Sequence, residues 1–316
     1  MKKVLIMVPC NQRIQDKLES EFGKNYEFCF AHGDDERITG FLPHAEVIIG
    51  EPDEDQILAA KKLEWIQLTW AGTDKYDKMT NLPPDLKITN ASGAFGKIIS
   101  EYVVGSIIAL YRSFPKYWDN KKSKAWERVD SATTIFGKTA LVLGTGDIGS
   151  NVAHRLKAFD CKVLGIRRQL SGAKMQDFDE VYNMDSLEGL LPQADIVIGC
   201  LPNNEGTRNQ LNEERLSLMK QDAVLINVGR GNLIDSKALI SVLEAGRLKG
   251  VALDVFDIEP LPNKSPLWNM ENVLITPHIS GPSFGGNEDV ENAIWEICIR
   301  NLKSYLGKFI GDNICG

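Results

Sequence analysis

Thr139-Ala140-Leu141-Val142-Leu143-Gly144-Thr145-Gly146-Asp147-Ile148-Gly149 is the stretch that decides how this chain folds. A short apolar run leads directly into Gly-x-Gly-x-x-Gly. The residues that follow put Ile148, Val152, Leu156 and Phe159 on one apolar face of a helix. Each glycine has a task. Gly144 permits a tight turn, Gly146 lets the backbone approach a pyrophosphate, and Gly149 lets the helix pack closely on the sheet. The helix start then offers free N–H groups and the positive end of its dipole to phosphates. Strand, glycine motif, helix and a second strand over 162–167 come in the order a dinucleotide-binding unit requires.

That second strand ends Gly165-Ile166-Arg167-Arg168. A site that prefers NAD places an acid there, to accept from the ribose 2′-OH. Two guanidinium groups suit a 2′-phosphate instead, so NADP is expected in preference to NAD. A pair of solvated arginines at a strand end is the alternative.

Around this centre, short apolar runs alternate with longer amphipathic ones, the pattern of a parallel sheet covered by helices on both faces. The first strand series is 3–8, 26–31, 47–50, 65–69 and 87–90, with a helical stretch at 53–63. A long helix over 98–112 and a polar, Trp-containing stretch over 113–136 follow. The second series is 139–144, 162–167, 181–184, 195–201, 223–228, 250–255 and 273–276, and the chain then turns helical over 288–306. The fold class is therefore α/β with two doubly wound parallel-sheet units, of which only the second carries a glycine fingerprint.

Composition narrows the function. With 316 residues and a 43% apolar fraction, two domains can each bury a core. A formal charge of −7 argues against a general binder of nucleic acid or anionic membrane. The apolar run at 4–8 is too short for a signal-peptide core or a membrane span, so a cytoplasmic location is expected. Cys10, Cys29, Cys161, Cys200, Cys298 and Cys315 show neither C-x-x-C nor metal-ligand spacing and read as buried small hydrophobes in a reducing compartment. No metal site is expected.

Three ionisable residues stand just past strands of the second series. Arg230 lies between Gly229 and Gly231, after the run that ends in Asn227 and Val228. Glu259 follows Ala252-Leu253-Asp254-Val255, and His278 follows Ile275-Thr276-Pro277. Ligands of open α/β sheets bind beyond the carboxyl ends of strands, so all three should face the cofactor crevice. Each could singly be a loop residue. Together with the glycine motif they form a joint candidate site. His154 falls on the polar face of its helix, and His32 and His44 lie near loop residues. All three read as structural or solvent-exposed.

With these motifs in order, the chain resembles the D-isomer-specific 2-hydroxyacid dehydrogenases over essentially its whole length. The likeness rests on 144–149, Leu201-Pro202 with Thr207, 227–231, 253–260, and Ser265-Pro266-Leu267-Trp268 leading to 276–281. Ala71-Gly72-Thr73-Asp74 and the run 89–102 also fit. The resemblance implies a Rossmann-type NAD(P)-binding domain at 101–286 and a flavodoxin-like substrate domain at 1–100 plus 287–316. The last helix would pack back on the first unit. It implies that Arg230 holds the substrate carboxylate and carbonyl, that His278 is the acid/base, and that Glu259 pairs with it. Backbone N–H groups at Ala71, Gly72 and Thr73 would also grip the carboxylate, where Gly72 permits close approach. Gly144, Thr145, Gly146, Asp147, Ile148, Gly149, Arg167, Arg168, Leu201, Pro202, Thr207, Val228, Gly229, Asp254 and Gly281 would line the cofactor. Asp254 would contact the nicotinamide carboxamide, with capping of local backbone as the alternative. The stretch 113–136, with Trp118 and Trp126, would form a homodimer contact.

The chemistry agrees with these roles. Reducing a ketone requires a proton for the developing alkoxide, which a histidine can give, and a guanidinium fork can orient a 2-oxo acid. The implied reaction is hydride transfer between NAD(P)H and a small 2-oxo acid or its D-2-hydroxy acid, such as glyoxylate or hydroxypyruvate. Thr73 departs mildly from the usual Ala-Gly-Val-Asp. Glu51 beside the substrate mouth would disfavour a phosphorylated substrate unless neutralised. With no regulatory domain after the final helix, a phosphoglycerate dehydrogenase-type activity is an alternative rather than the first reading. A nucleotide-sensing co-regulator of the same fold is another. Formate-type relatives lack the Glu partner of the histidine, which is present here as Glu259.

Overall fold

The computed structural model describes residues 1–129, 132–170 and 174–306. It divides into two compact units, one formed by Met1–Ala94 with Pro282–Gly316 and the other by Phe95–Gly281. These breaks come several residues before the expected 100/101 and 286/287. The reason at the first is local. The helix that begins at Gly96 belongs wholly to the second unit, where Gly96 N–H donates to the Asp147 carboxylate at 2.8 Å.

The first unit holds β1 (Lys2–Ile6), β2 (Tyr26–Phe30), β3 (Val47–Ile49), β4 (Trp65–Gln67) and β5 (Lys87–Thr89). Every pairing is parallel, in the order β2-β1-β3-β4-β5. Strands β3 and β4 are buried at every residue, as a sheet covered on both faces requires. Its helices are α1 (Gln12–Phe22), α2 (Arg37–Phe41), α3 (Glu54–Ala59) and, from the far end of the chain, α10 (Glu288–Leu306). Sequence sets their starts. Asn11 caps α1 by accepting from Ile14 N–H at 3.0 Å, and Asp53 with Gln56 forms a capping box on α3. Helix α10 buries Ile294, Trp295, Cys298 and Leu302. Its Asn301 amide donates to Gln67 Oε1 at 2.7 Å inside the core.

The second unit holds α4 (Gly96–Tyr111), α5 (Phe114–Ser123), β6 (Thr139–Leu143), α6 (Asp147–Lys157), β7 (Lys162–Ile166), β8 (Glu180–Tyr182), α7 (Leu187–Leu190), β9 (Ile196–Gly199), α8 (Glu213–Leu218), β10 (Val224–Asn227), α9 (Ser236–Glu244), β11 (Gly250–Leu253) and β12 (Val273–Ile275). Its sheet is again wholly parallel, in the order β12-β11-β10-β9-β6-β7-β8. Chain order reverses direction between β6 and β9 here, and between β1 and β3 in the first unit. Such reversals open a crevice beyond the carboxyl ends of the strands.

Two expectations change. The polar, Trp-containing stretch 113–136, to which the sequence assigns no helix, has one. It contains α5, set off by Ser113 and Lys124, both left-handed with φ of 56° and 57°; residues 130–131 lie outside the described part. The cysteines are not uniformly buried either. Cys161 and Cys298 are, whereas Cys10, Cys29 and Cys200 are half-buried, and Cys315 lies outside the described residues. All five described cysteines are free, and burial pushes their thiols up, that of Cys10 to about 12.

Candidate active site

The loop after β6 is shaped by its glycines. Gly144 has φ of +106°, and a Cβ on Gly149 would lie 1.9 Å from the Gly144 carbonyl oxygen. Only glycine lets α6 start this close to the strand. At Gly146 a Cβ would point into open space. The N–H groups of Thr145 and Gly146 donate to no acceptor among the described residues. A cradle that a side chain would fill, with free donors at a helix N-terminus, fits the pyrophosphate of a dinucleotide. Ile148 is half-buried at the first turn of α6. The Asp147 carboxylate faces away from this role, accepting from Gly96 N–H at 2.8 Å and from the Asn151 amide at 3.1 Å.

At the end of the neighbouring β7, Arg167 is half-buried and Arg168 exposed. Arg167 donates to Met175 Sδ at 3.2 Å. Among the described residues neither guanidinium is paired with a carboxylate. Leu201 and Pro202 follow β9. Thr207 closes that loop by donating to the Pro202 carbonyl at 2.7 Å. Gly229 lies against it, since a Cβ there would meet Leu201 O at 2.6 Å, and Val228 N–H donates to Gly199 O at 3.0 Å. Gly281 packs on Ile99 of α4.

The adjacent strands β10, β11 and β12 carry Arg230, Glu259 and His278 just past their carboxyl ends. A contiguous set of contacts joins the three loops. Gly231 presses on the backbone of Phe256, where a Cβ would lie 1.8 Å from the carbonyl carbon. Phe256 N–H donates to Glu259 Oε1 at 2.8 Å, and Glu259 Oε2 lies 2.9 Å from His278 Nδ1. A carboxylate can only accept, so Nδ1 carries the proton of that bond and Nε2 is left to exchange a proton elsewhere. Both side chains stay partly open to solvent. Arg230 is half-buried, with Nη1 donating to Gly229 O at 2.9 Å.

His278 sits in left-handed backbone, φ +55°, a conformation that costs a non-glycine residue about 1–3 kcal/mol unless its surroundings impose it. Asp254, fully buried at the end of β11, imposes it. Its Oδ1 accepts from Thr276 Oγ1 at 2.6 Å and from Ile279 N–H at 2.9 Å, and its Oδ2 from Ser280 N–H at 2.9 Å. His278 N–H donates to the Asp254 carbonyl at 2.8 Å. Tyr102 of α4 extends the network, 2.7 Å from Thr276 Oγ1. Sequence reading did not single out Thr276 or Tyr102 for this role, and left Asp254 open between a cofactor contact and a backbone cap. Its carboxylate accepts from the backbone N–H groups of Ile279 and Ser280. The other histidines are exposed, with His154 Nδ1 3.0 Å from Asp177 Oδ2.

In the first unit, the loop after β4 carries Ala71, Gly72 and Thr73, all half-buried. Their three successive N–H groups donate to no acceptor among the described residues, while Tyr76 and Asp77 N–H fold back onto the Thr73 carbonyl. A run of successive free N–H groups suits an anion. Asn90, another residue the sequence did not flag, donates its amide to the Ala71 carbonyl at 2.8 Å.

Comparison with known proteins agrees with this arrangement. Residues 104–280 match the family model described as D-isomer specific 2-hydroxyacid dehydrogenase, NAD binding domain. A glyoxylate reductase of Pyrococcus furiosus is 30% identical over 261 residues, covering 80% of this chain and 76% of that one. A glyoxylate/hydroxypyruvate reductase of Arabidopsis thaliana is 31% identical, covering 86% and 84%. Among solved structures, a D-isomer specific 2-hydroxyacid dehydrogenase family protein from Aeromonas salmonicida superposes with a TM-score of 0.88 at 33% identity, over 100% of this chain and 99% of that one. With the family model matching over half its length and this agreement along the rest, the chain belongs to the D-isomer-specific 2-hydroxyacid dehydrogenase family.

Proposed function

We propose that the protein is a cytoplasmic homodimer that reduces a small, unphosphorylated 2-oxo acid of the glyoxylate or hydroxypyruvate kind, with NADPH preferred over NADH. The observation that carries the reading is the Glu259–His278 pair, held at 2.9 Å on the same sheet as the free-donor loop 144–149. Thr145 and Gly146 N–H would hold the pyrophosphate, with Arg167 and Arg168 at the 2′-phosphate. Leu201, Pro202, Val228, Gly229 and Gly281 would line the nicotinamide side. The bound nicotinamide supplies the hydride. Arg230 orients the substrate carboxylate and carbonyl through its fork. Ala71, Gly72 and Thr73 N–H groups take the carboxylate. His278 Nε2 gives its proton to the carbonyl oxygen as the C2–H bond forms and the C=O bond becomes a C–OH. Glu259 keeps the ring oriented through Nδ1.

Steady-state rates over a panel of 2-oxo acids, each with NADPH and with NADH, test the reading. Turnover of glyoxylate or hydroxypyruvate with NADPH is expected. No turnover of any oxo acid with either nucleotide would favour a nucleotide sensor. For assembly, Trp118 and Trp126 stand exposed on and just after α5, and an apolar surface of this kind is more stable when covered. Sedimentation equilibrium at micromolar concentration should give a dimer. A monomer would remove that part of the proposal. Among the described residues no helix is long and apolar enough to cross a membrane.

A further inference from the structure

We propose that Glu51 is a positioning residue of the oxo-acid site, its carboxylate fixing the loop 69–73 so that three adjacent N–H groups stay free for the substrate carboxylate. The inference rests on the function proposed above. Glu51 follows β3 after one intervening residue, at the reversal of strand order between β1 and β3, and the loop follows the neighbouring β4. One carboxylate oxygen accepts twice from the same residue, from Thr69 N–H at 2.7 Å and from Thr69 Oγ1 at 2.8 Å. Thr69 is fully buried, so these bonds are made where water does not replace them.

The opposite side of the loop is fixed independently. Ala91 N–H donates to the Trp70 carbonyl at 2.8 Å, and the Asn90 amide donates to the Ala71 carbonyl at 2.8 Å. The loop thus has its Thr69 donors tied to Glu51 and its Trp70 and Ala71 carbonyls tied to the β5 side. The next three N–H groups, of Ala71, Gly72 and Thr73, are left without an acceptor among the described residues. Lys75 braces Glu51 from behind, donating to the Pro52 carbonyl at 3.1 Å. Burial pushes the Glu51 carboxyl up, against the Thr69 bonds, the Trp70 N–H and the Lys75 charge that lower it. A carboxylate kept here at that cost, beside an anion site, points to a geometric rather than an electrostatic task.

The distinction sets the experiment. Gln offers the same acceptor oxygen without the charge, whereas Ala removes it. Glu51→Ala should raise KM for the oxo acid on the order of ten- to a hundredfold, with kcat within about threefold, because two strong bonds organising the loop are lost. Glu51→Gln should restore KM to within about threefold of wild type, and NADPH affinity by calorimetry should be unchanged in both. Thr69→Val, which keeps the N–H and drops the hydroxyl, should give an intermediate rise and serves if Glu51→Ala does not fold. An unchanged KM in Glu51→Ala, or in Thr69→Val if that variant stands in, overturns the proposal. So does a Gln variant as impaired as the Ala variant. Calorimetric binding of oxalate to the NADPH complex separates this inference from its parent. If the wild type reduces no oxo acid but binds oxalate, with binding weakened in Glu51→Ala and kept in Glu51→Gln, Glu51 retains its role while the function fails. Equal oxalate binding in all three proteins, or none in the wild type, overturns it.

Discussion

Asp254→Asn isolates what holds His278 in place. The substitution keeps shape and volume, but one oxygen becomes an NH2 group. In the better of its two orientations the remaining oxygen keeps Thr276 Oγ1 and Ile279 N–H, and the new amide then faces the buried Ser280 N–H, donor against donor. The other orientation loses two bonds instead of one. Leaving a buried N–H unsatisfied costs roughly 1–3 kcal/mol, and the surviving bonds lose their charge assistance, so a total of about 2–4 kcal/mol is expected. For a unit the size of Phe95–Gly281, each kcal/mol shifts Tm by about 2–4 °C, so its transition should fall by roughly 5–15 °C. The relaxed turn lets His278 leave its left-handed backbone, and a displacement of ~1 Å at the reacting centre lowers kcat on the order of a hundredfold. NADPH affinity should change by less than about threefold, because the phosphate-facing loop lies on another strand. Differential scanning calorimetry, initial rates and nucleotide titration read the three quantities. A folded variant with wild-type Tm and kcat would refute the reasoning, and a loss confined to NADPH affinity would return Asp254 to the role of a carboxamide contact.

Three further outcomes are expected. His278→Ala should lower kcat for oxo-acid reduction by about 10²–10⁴-fold with little change in nucleotide binding, measured by initial rates and titration; near wild-type turnover would assign the proton to another group. Arg167→Asp should reverse the nucleotide preference from NADPH to NADH in kcat/KM at low salt, where the wild type should favour NADPH on the order of tenfold; a wild type that uses both equally would make the arginines ordinary solvated residues. Glu51→Gln should melt higher than wild type at neutral pH. A carboxyl raised by burial binds protons more readily folded than unfolded, so stability falls as pH rises above the unfolded value of 4.5; the advantage of the Gln variant should vanish below that pH, and a constant gap in Tm would contradict it.

The sheets were open to reading because parallel strands buried on both faces become apolar runs, and all twelve such runs hold a strand in the structure. Most boundaries shrink by a residue or two, since the strand-end residues leave the ladder to form the functional loops. The glycine motif was legible for a similar reason, as each glycine answers a steric demand that sequence order exposes. Side-chain direction was not. Nothing local says that the Asp147 carboxylate turns toward Gly96, fifty-one positions earlier, or that Tyr102 reaches Thr276. Helix α5 was missed because its residues carry little apolar periodicity, and its ends are set by left-handed Ser113 and Lys124 rather than by glycine. Glu51 read as a charge near the substrate because the acceptor role of its carboxylate depends on a loop eighteen residues away.

The first sheet and the helix that buries it lie at opposite ends of the chain, and this sets a timetable for synthesis. Strands β1 to β5 leave the ribosome early, but Ile294, Trp295, Cys298 and Leu302 and the Asn301 amide that completes the Gln67 core arrive only with α10. At ~5–20 residues per second, translating Phe95–Gly281 takes roughly 10–40 s, during which that unit has all its own strands in hand and can fold as one piece. The N-terminal segment meanwhile waits with an apolar sheet face open, the state most exposed to chaperones and to pairing with other nascent chains. Its closure is a contact between residues more than two hundred positions apart, so it can form only after the second unit has been translated.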